Sequence, residues 1–321
     1  MSETTRARAT ATSPWPRRFA ASALLSAVPL VFFGGSVTTL HAGLAIDGWL
    51  VLEPGRGDHF LWLYPVDKWF RDVGTFVEHT HRLLGSLVGI LAIATVVATW
   101  ATDRRRLPRV LSLAALLAVI TQGVIGGFRV LERSEDLAFL HGAIAQGVFA
   151  VLGASWIAST RRAQDLASAP SERDAGFGRR LRRLSIAAVA SVCLQIVAGA
   201  WLRHGGGNGA LAVHLALALP VLILVPLLAR RLPAGGERRW LNGSLGGQVV
   251  LGIAALVVVS VPGGEGLGAA VFPTLHVVGG GVLLLACVAS SMRAHAASPS
   301  RTVEPERAVE PSGREQWEAA R

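Results

Sequence analysis

Eight runs of mostly apolar residues divide the chain, at 19–39, 75–100, 110–128, 137–157, 184–202, 210–229, 241–261 and 269–291. Each comes close to the ~20 residues a helix needs to cross ~30 Å of hydrocarbon. The runs are too long for barrel strands, and a backbone in lipid must satisfy its own hydrogen bonds, so the pattern predicts an all-α membrane protein of eight transmembrane helices.

Composition agrees: 51% of the residues are hydrophobic, only 16% are charged, and the mean hydropathy is +0.47. That is more apolar side chain than a soluble domain needs. The net charge of +10 does not indicate nucleic acid, because the arginines sit in short clusters between apolar runs. Counting loops alternately from the N-terminus divides the 31 basic residues 24 to 7, which places both termini in the cytoplasm. A single lysine among them fits a GC-rich bacterial genome, so a bacterial plasma membrane is expected rather than a mitochondrial inner membrane. The first apolar run is too long for an ordinary signal peptide and reads as a retained helix. The tail 292–321, rich in Pro, Ser, Glu and Arg, reads as a disordered cytoplasmic segment. Cys193 and Cys287 both lie in apolar runs and suggest neither a disulfide framework nor a cysteine metal site.

Four histidines lie within the predicted helices: His81 in the second, His141 in the fourth, His214 in the sixth and His276 in the eighth. The members of each pair are 60 and 62 residues apart, and the pairs are offset by 133 and 135. This predicts two tandem four-helix bundles of the same orientation, 19–158 and 184–291. They follow a short segment 1–18 and are joined by a basic cytoplasmic linker at 159–183. A smaller echo, Gln with Gly four residues later, recurs at Gln122/Gly126, Gln195/Gly199 and Gln248/Gly252 in the odd helices. A helix-packing face accounts for it, and no chemistry is assigned to it.

All even helices start on the outer side, and each histidine follows its helix start by a few residues, roughly 6 to 10 Å below the surface. Two histidines at equal depth in a four-helix unit can face each other and hold a haem iron between two imidazoles. Taken singly, each histidine could equally cap or pack; as a repeated set of costly intramembrane groups they read as functional. Ligand type alone also allows zinc or copper, but the apolar surroundings favour haem.

Only the first pair has a carboxylate beside it, Glu78, three residues before His81 and on the same helix face. Open to water from the outer side, it could take protons released when a substrate is oxidised; otherwise it is a solvated helix mouth. Arg82 either pairs with a haem propionate or anchors at the interface. His79 points away from His81 and reads as a surface residue. The outer loop 41–74 is aromatic and much longer than its counterpart at 203–209. It reads as a cover over the first site or as an interfacial aromatic belt.

The stretch Glu78, Thr80, His81, Arg82, Leu83, Leu84 and Gly85 resembles the Glu-x-x-His-Arg motif of haem A synthases. Further matches are Gly43, Leu44, Asp47 and Trp49, then Gln122 to Arg129, then His141, Gly142 and Gln146, then Gln195 to Arg203, with His214 and His276 completing the histidine set. The likeness spans roughly residues 25 to 290. It implies an oxidoreductase that converts the C8 methyl of haem O to a formyl by successive hydroxylations, supplying haem A for terminal oxidase assembly. It also implies a haem B cofactor between His214 and His276, with haem O as substrate and haem A as product at His81, His141 and Glu78. Implied partners are an electron acceptor, haem O synthase, terminal oxidase subunits and membrane lipid; a homo-oligomer stays open. Some family members carry a cysteine pair in an outer loop, and this chain has none. The alternative reading is a non-enzymatic dihaem b-type cytochrome, to which Glu78 beside one pair alone would be of no use.

Overall fold

A computed structural model describes residues 13–160, 175–260 and 267–296. Among them are eight helices long and apolar enough to cross a membrane: α1 (Trp15–Thr39), α2 (Val73–Thr102), α3 (Arg106–Leu131), α4 (Glu135–Ala158), α5 (Ala175–Arg203), α6 (Gly207–Arg231), α7 (Gly236–Ser260) and α8 (Leu267–Ala296). The protein is a multi-pass, all-α membrane protein.

The helices outrun the apolar runs that announced them. α5 starts at Ala175 instead of 184, so the C-terminal part of the expected linker is helical, and α8 continues to Ala296, into the expected tail. Hydropathy marks the depth of lipid, whereas the backbone stays helical until a cap satisfies its end groups. Asp72 and Ser134 provide such caps, accepting from the N–H groups of Thr75 at 2.8 Å and Leu137 at 3.2 Å. The rest of the linker and of the tail lies outside the described residues.

Neighbouring helices of the first four pack in a ring, α1 on α2, α2 on α3, α3 on α4 and α4 on α1; α5 to α8 repeat the same pairings. The two rings meet through α4 on α8, α1 on α8 and α4 on α5. At this seam Gly281 of α8 leaves room for Gln146 and Phe149 of α4. The buried apolar clusters, built around Ala23, Val88, Phe149 and Leu152 in one ring and Val192, Val225, Leu228 and Leu284 in the other, lie on the side of the histidines nearer the termini.

Residues 41–72 fold into a cap. Strands β1 (Val51–Leu52) and β2 (His59–Phe60) form an antiparallel hairpin, followed by a single helical turn at Val66–Trp69. Ile46, Leu52, Leu61 and Tyr64 make its small core, with Trp69 packed against them. Lys68 forms an ion pair with Glu53, whose other oxygen accepts from the Tyr64 hydroxyl at 3.3 Å. That hydrogen bond from Lys68 holds the Glu53 carboxyl below its ordinary range, and the bonds from Thr75 do the same for Asp72. The cap is pinned to the helices at several points: Trp69 Nε1 donates to Thr80 Oγ1 at 3.1 Å, Arg133 reaches Asp47 at 3.2 Å, and Arg129 donates to the Gly43 carbonyl at 3.0 Å. The Trp49 ring lies against Gly127 of α3, where any side chain would collide with it.

Candidate functional site

The four histidines come together two by two. The ring centres of His81 and His141 are 6.3 Å apart, and those of His214 and His276 are 6.1 Å apart, with the planes nearly perpendicular at 80° and 78°. Each ring rests on a glycine of the preceding helix. A Cβ added at Gly34 would come within 2.7 Å of His81, at Gly126 within 2.8 Å of His141, at Gly199 within 3.0 Å of His214, and at Gly252 within 2.9 Å of His276. Real Cβ contacts are essentially never shorter than 3.0 Å and seldom reach it, so each imidazole occupies space that exists because its neighbour has no side chain.

The glutamines one turn before three of these glycines also reach the histidines. The amide nitrogens of Gln195 and Gln248 lie 3.2 and 3.3 Å from Nε2 of His214 and His276, and Gln122 donates to the backbone carbonyl of His141 at 2.8 Å. The recurring Gln and Gly are therefore the beds of the histidines and more than a packing face; only knowledge of which helices touch could reveal this. In α1 the place of the glutamine is taken by Leu30, whose carbonyl lies 3.0 Å from His81 Nδ1. A carbonyl only accepts, so Nδ1 of His81 carries the proton and Nε2 keeps its lone pair.

These residues fit a metal centre of the haem type. Metal–imidazole bonds of about 2 Å on both sides would separate two ring centres by about 6 Å, as each pair is here. Nδ1 of His141, His214 and His276 is buried without a partner among the described residues. Clusters of three or more His, Cys, Asp or Glu able to hold a bare ion are absent from the described residues, so two axial imidazoles around a macrocycle suit the donor set better than a zinc or copper site.

Glu78 is 3% exposed, which rules out a solvated helix mouth and closes the expected access to outer water. Its Oε1 accepts from Arg82 at 2.7 Å, and its Oε2 accepts from the Ile46 N–H of the cap at 3.0 Å. Arg82 donates as well to the carbonyls of Gly48 at 2.8 Å and Ile46 at 3.1 Å, so its guanidinium joins α2 to the cap. Gly48 takes φ +83° at this contact, a left-handed conformation that suits glycine. His79 is not a surface residue. It is 2% exposed, with its ring 4.9 Å from that of Tyr64 and 5.1 Å from that of Trp69. Sequence reasoning placed it correctly on the opposite face from His81 but did not foresee that the cap would fold over that face.

The family model for the cytochrome oxidase assembly protein COX15-CtaA matches residues 17–210. The chain belongs to this family. The match runs from α1 through α5 and includes the cap, Glu78, His81 and His141; His214 and His276 lie beyond it. Membership of this haem-related cytochrome oxidase assembly family accords with paired histidines suited to haem. Neither the curated proteins nor the solved structures that were searched contain a match.

Proposed function

We propose that the protein is a haem A synthase, which oxidises the C8 methyl of haem O to a formyl through successive hydroxylations, water supplying the oxygen and an external electron acceptor taking the four electrons. The observation that carries this reading is the pair of equivalent histidine sites of which one alone has a buried carboxylate on the same helix. On this reading His214 and His276 hold a haem B, which when bound supplies one-electron chemistry. The substrate lies between His81 and His141, whose glycine beds at Gly34 and Gly126 fix the imidazoles. Glu78 takes protons released at the substrate. Each carboxylate oxygen uses one lone pair, towards Arg82 or Ile46, and has another to offer. The cap covers the first half on this side, and the counterpart turn between α5 and α6, residues 204–206, is too short to do so for the second. The termini are placed in the cytoplasm and the cap on the outer side of a bacterial plasma membrane, following the division of basic residues.

A second reading has support from Glu78 itself. Its bonds to Arg82 and Ile46 suffice to make it an anchor for the cap, which would leave a dihaem b-type cytochrome that only carries electrons. Haem extraction from cells that make haem O separates the two. With the wild-type protein haem A should appear. Glu78→Gln, which keeps a hydrogen-bonding side chain of the same size, should accumulate haem O or a hydroxylated intermediate at unchanged haem content, and Glu78→Asp should keep partial activity. Haem A formed by Glu78→Gln at the wild-type rate would reduce this residue to an anchor.

A further inference from the structure

Two of the four odd helices carry an arginine one turn outward of the glycine that beds a histidine. In α3 the face runs Gln122, Gly126, Arg129; in α5 it runs Gln195, Gly199, Arg203. Spacings of three and four residues keep each arginine on the face that carries the glycine. The same face of α1 continues with Val37 and Thr38, and that of α7 with Ala255 and Leu256. Each ring of helices therefore has one such guanidinium, on helices that are not equivalent in the repeat.

Neither arginine has a carboxylate partner among the described residues, whereas Arg56, Arg71, Arg82, Arg105, Arg133 and Arg293 all do. Arg129 donates to the Gly43 carbonyl alone. Arg203 donates through Nη2 to the Gly35 carbonyl and Thr39 Oγ1, both at 2.8 Å, and through Nη1 to the Pro273 carbonyl at 3.4 Å. Pro273 precedes His276 by three residues on α8, which puts the guanidinium one turn outward of that imidazole. A guanidinium has five donors, and both side chains are partly buried in membrane-spanning helices, where a cation without a carboxylate partner is costly.

We propose that Arg129 and Arg203 bind the carboxylate side chains of the two porphyrins, Arg129 for the one between His81 and His141, Arg203 for the one between His214 and His276. This rests on the haem reading above. Arg82, tied to Glu78 and to two cap carbonyls, serves the cap instead. The two arginines give each porphyrin one orientation in its slot, with the carboxylate edge outward.

The test compares iron protoporphyrin IX with its dimethyl ester, which has the same ring and iron but no ionised carboxylate. The full chain, stripped of haem, is titrated with each, and binding is read from the absorbance of the bis-imidazole species. A His141→Ala background isolates the second site, and a His214→Ala background isolates the first. Arg203→Gln in the former and Arg129→Gln in the latter should weaken binding of the free acid about 10- to 100-fold and leave that of the ester unchanged, and Lys at either position should restore part of the difference. Equal weakening of acid and ester would mark the arginines as structural, and no weakening of either would remove them from the site; both results overturn the proposal. If the wild-type chain forms no bis-imidazole species with either compound, the haem reading itself falls.

Discussion

A histidine inside a membrane is held by whatever its neighbours leave out. The contacts at Gly34, Gly126, Gly199 and Gly252 leave no room for even a methyl group without moving a ring. Gly199→Ala is therefore expected to displace the His214 ring and weaken haem binding, at an overpacking cost of about 1–3 kcal/mol. Gly123→Ala, on α3 where nothing lies within 4 Å of the added carbon, should change neither haem content nor melting temperature. A Gly199→Ala protein with wild-type haem affinity and an unshifted absorbance spectrum would show that the bed can yield. Residue types alone made the four histidines and Glu78 legible, because ionisable groups stand out in apolar runs. The glycines and glutamines beneath the histidines were visible only as a spacing, since small residues in membrane helices have a sufficient explanation in packing.

Among the elements, the helices were the most legible and the cap the least. Twenty apolar residues leave few alternatives in lipid, but 41–72 has no periodic pattern, and its two strands contain two residues each. The cap is held by long-range polar contacts, Glu78 to Ile46, Arg82 to Gly48, Arg133 to Asp47 and Trp69 to Thr80, whose partners lie up to 86 residues apart. Its acid sensitivity follows from two of its carboxylates. Glu53 and Asp72 have folded values below 4.5 and 3.8, so each contributes stability that is fully present above those values and is lost as pH falls through the depressed range beneath them. Hydrogen exchange of the cap amides is expected to quicken, relative to those of α2 and α3, as the pH drops below about 4.5, and Glu53→Gln should remove part of this dependence. Equal protection of cap and helices down to pH 3 would exclude the effect.

At the scale of the whole molecule, two rings with the same helix order meet along α4 and α8, and the matched family segment ends near the start of α6. The seam is close-packed where Gly281 faces Gln146 and Phe149, and none of the four histidines is among the atoms nearest Gly281. Gly281→Leu should push the rings apart and lower the melting temperature, again by about 1–3 kcal/mol of overpacking, with both histidine pairs still able to bind haem. His214→Ala should do the reverse, abolishing haem binding at the second pair with little effect on the seam. If Gly281→Leu removed haem from both pairs, the sites would depend on the seam more than their separate beds suggest.

The cap also sets an order of events during synthesis. Its segment leaves the ribosome before α2, yet Gly43 and Asp47 find their partners in Arg129 and Arg133, each 86 residues downstream at the end of α3. Until the third helix has been threaded through the bilayer, the hairpin has no floor on that side and Trp49 has no Gly127 to rest on. On the haem reading proposed above, the first histidine pair would thus be covered only once α3 has arrived, and a hydrophobic macrocycle would find its widest entrance before biogenesis is complete.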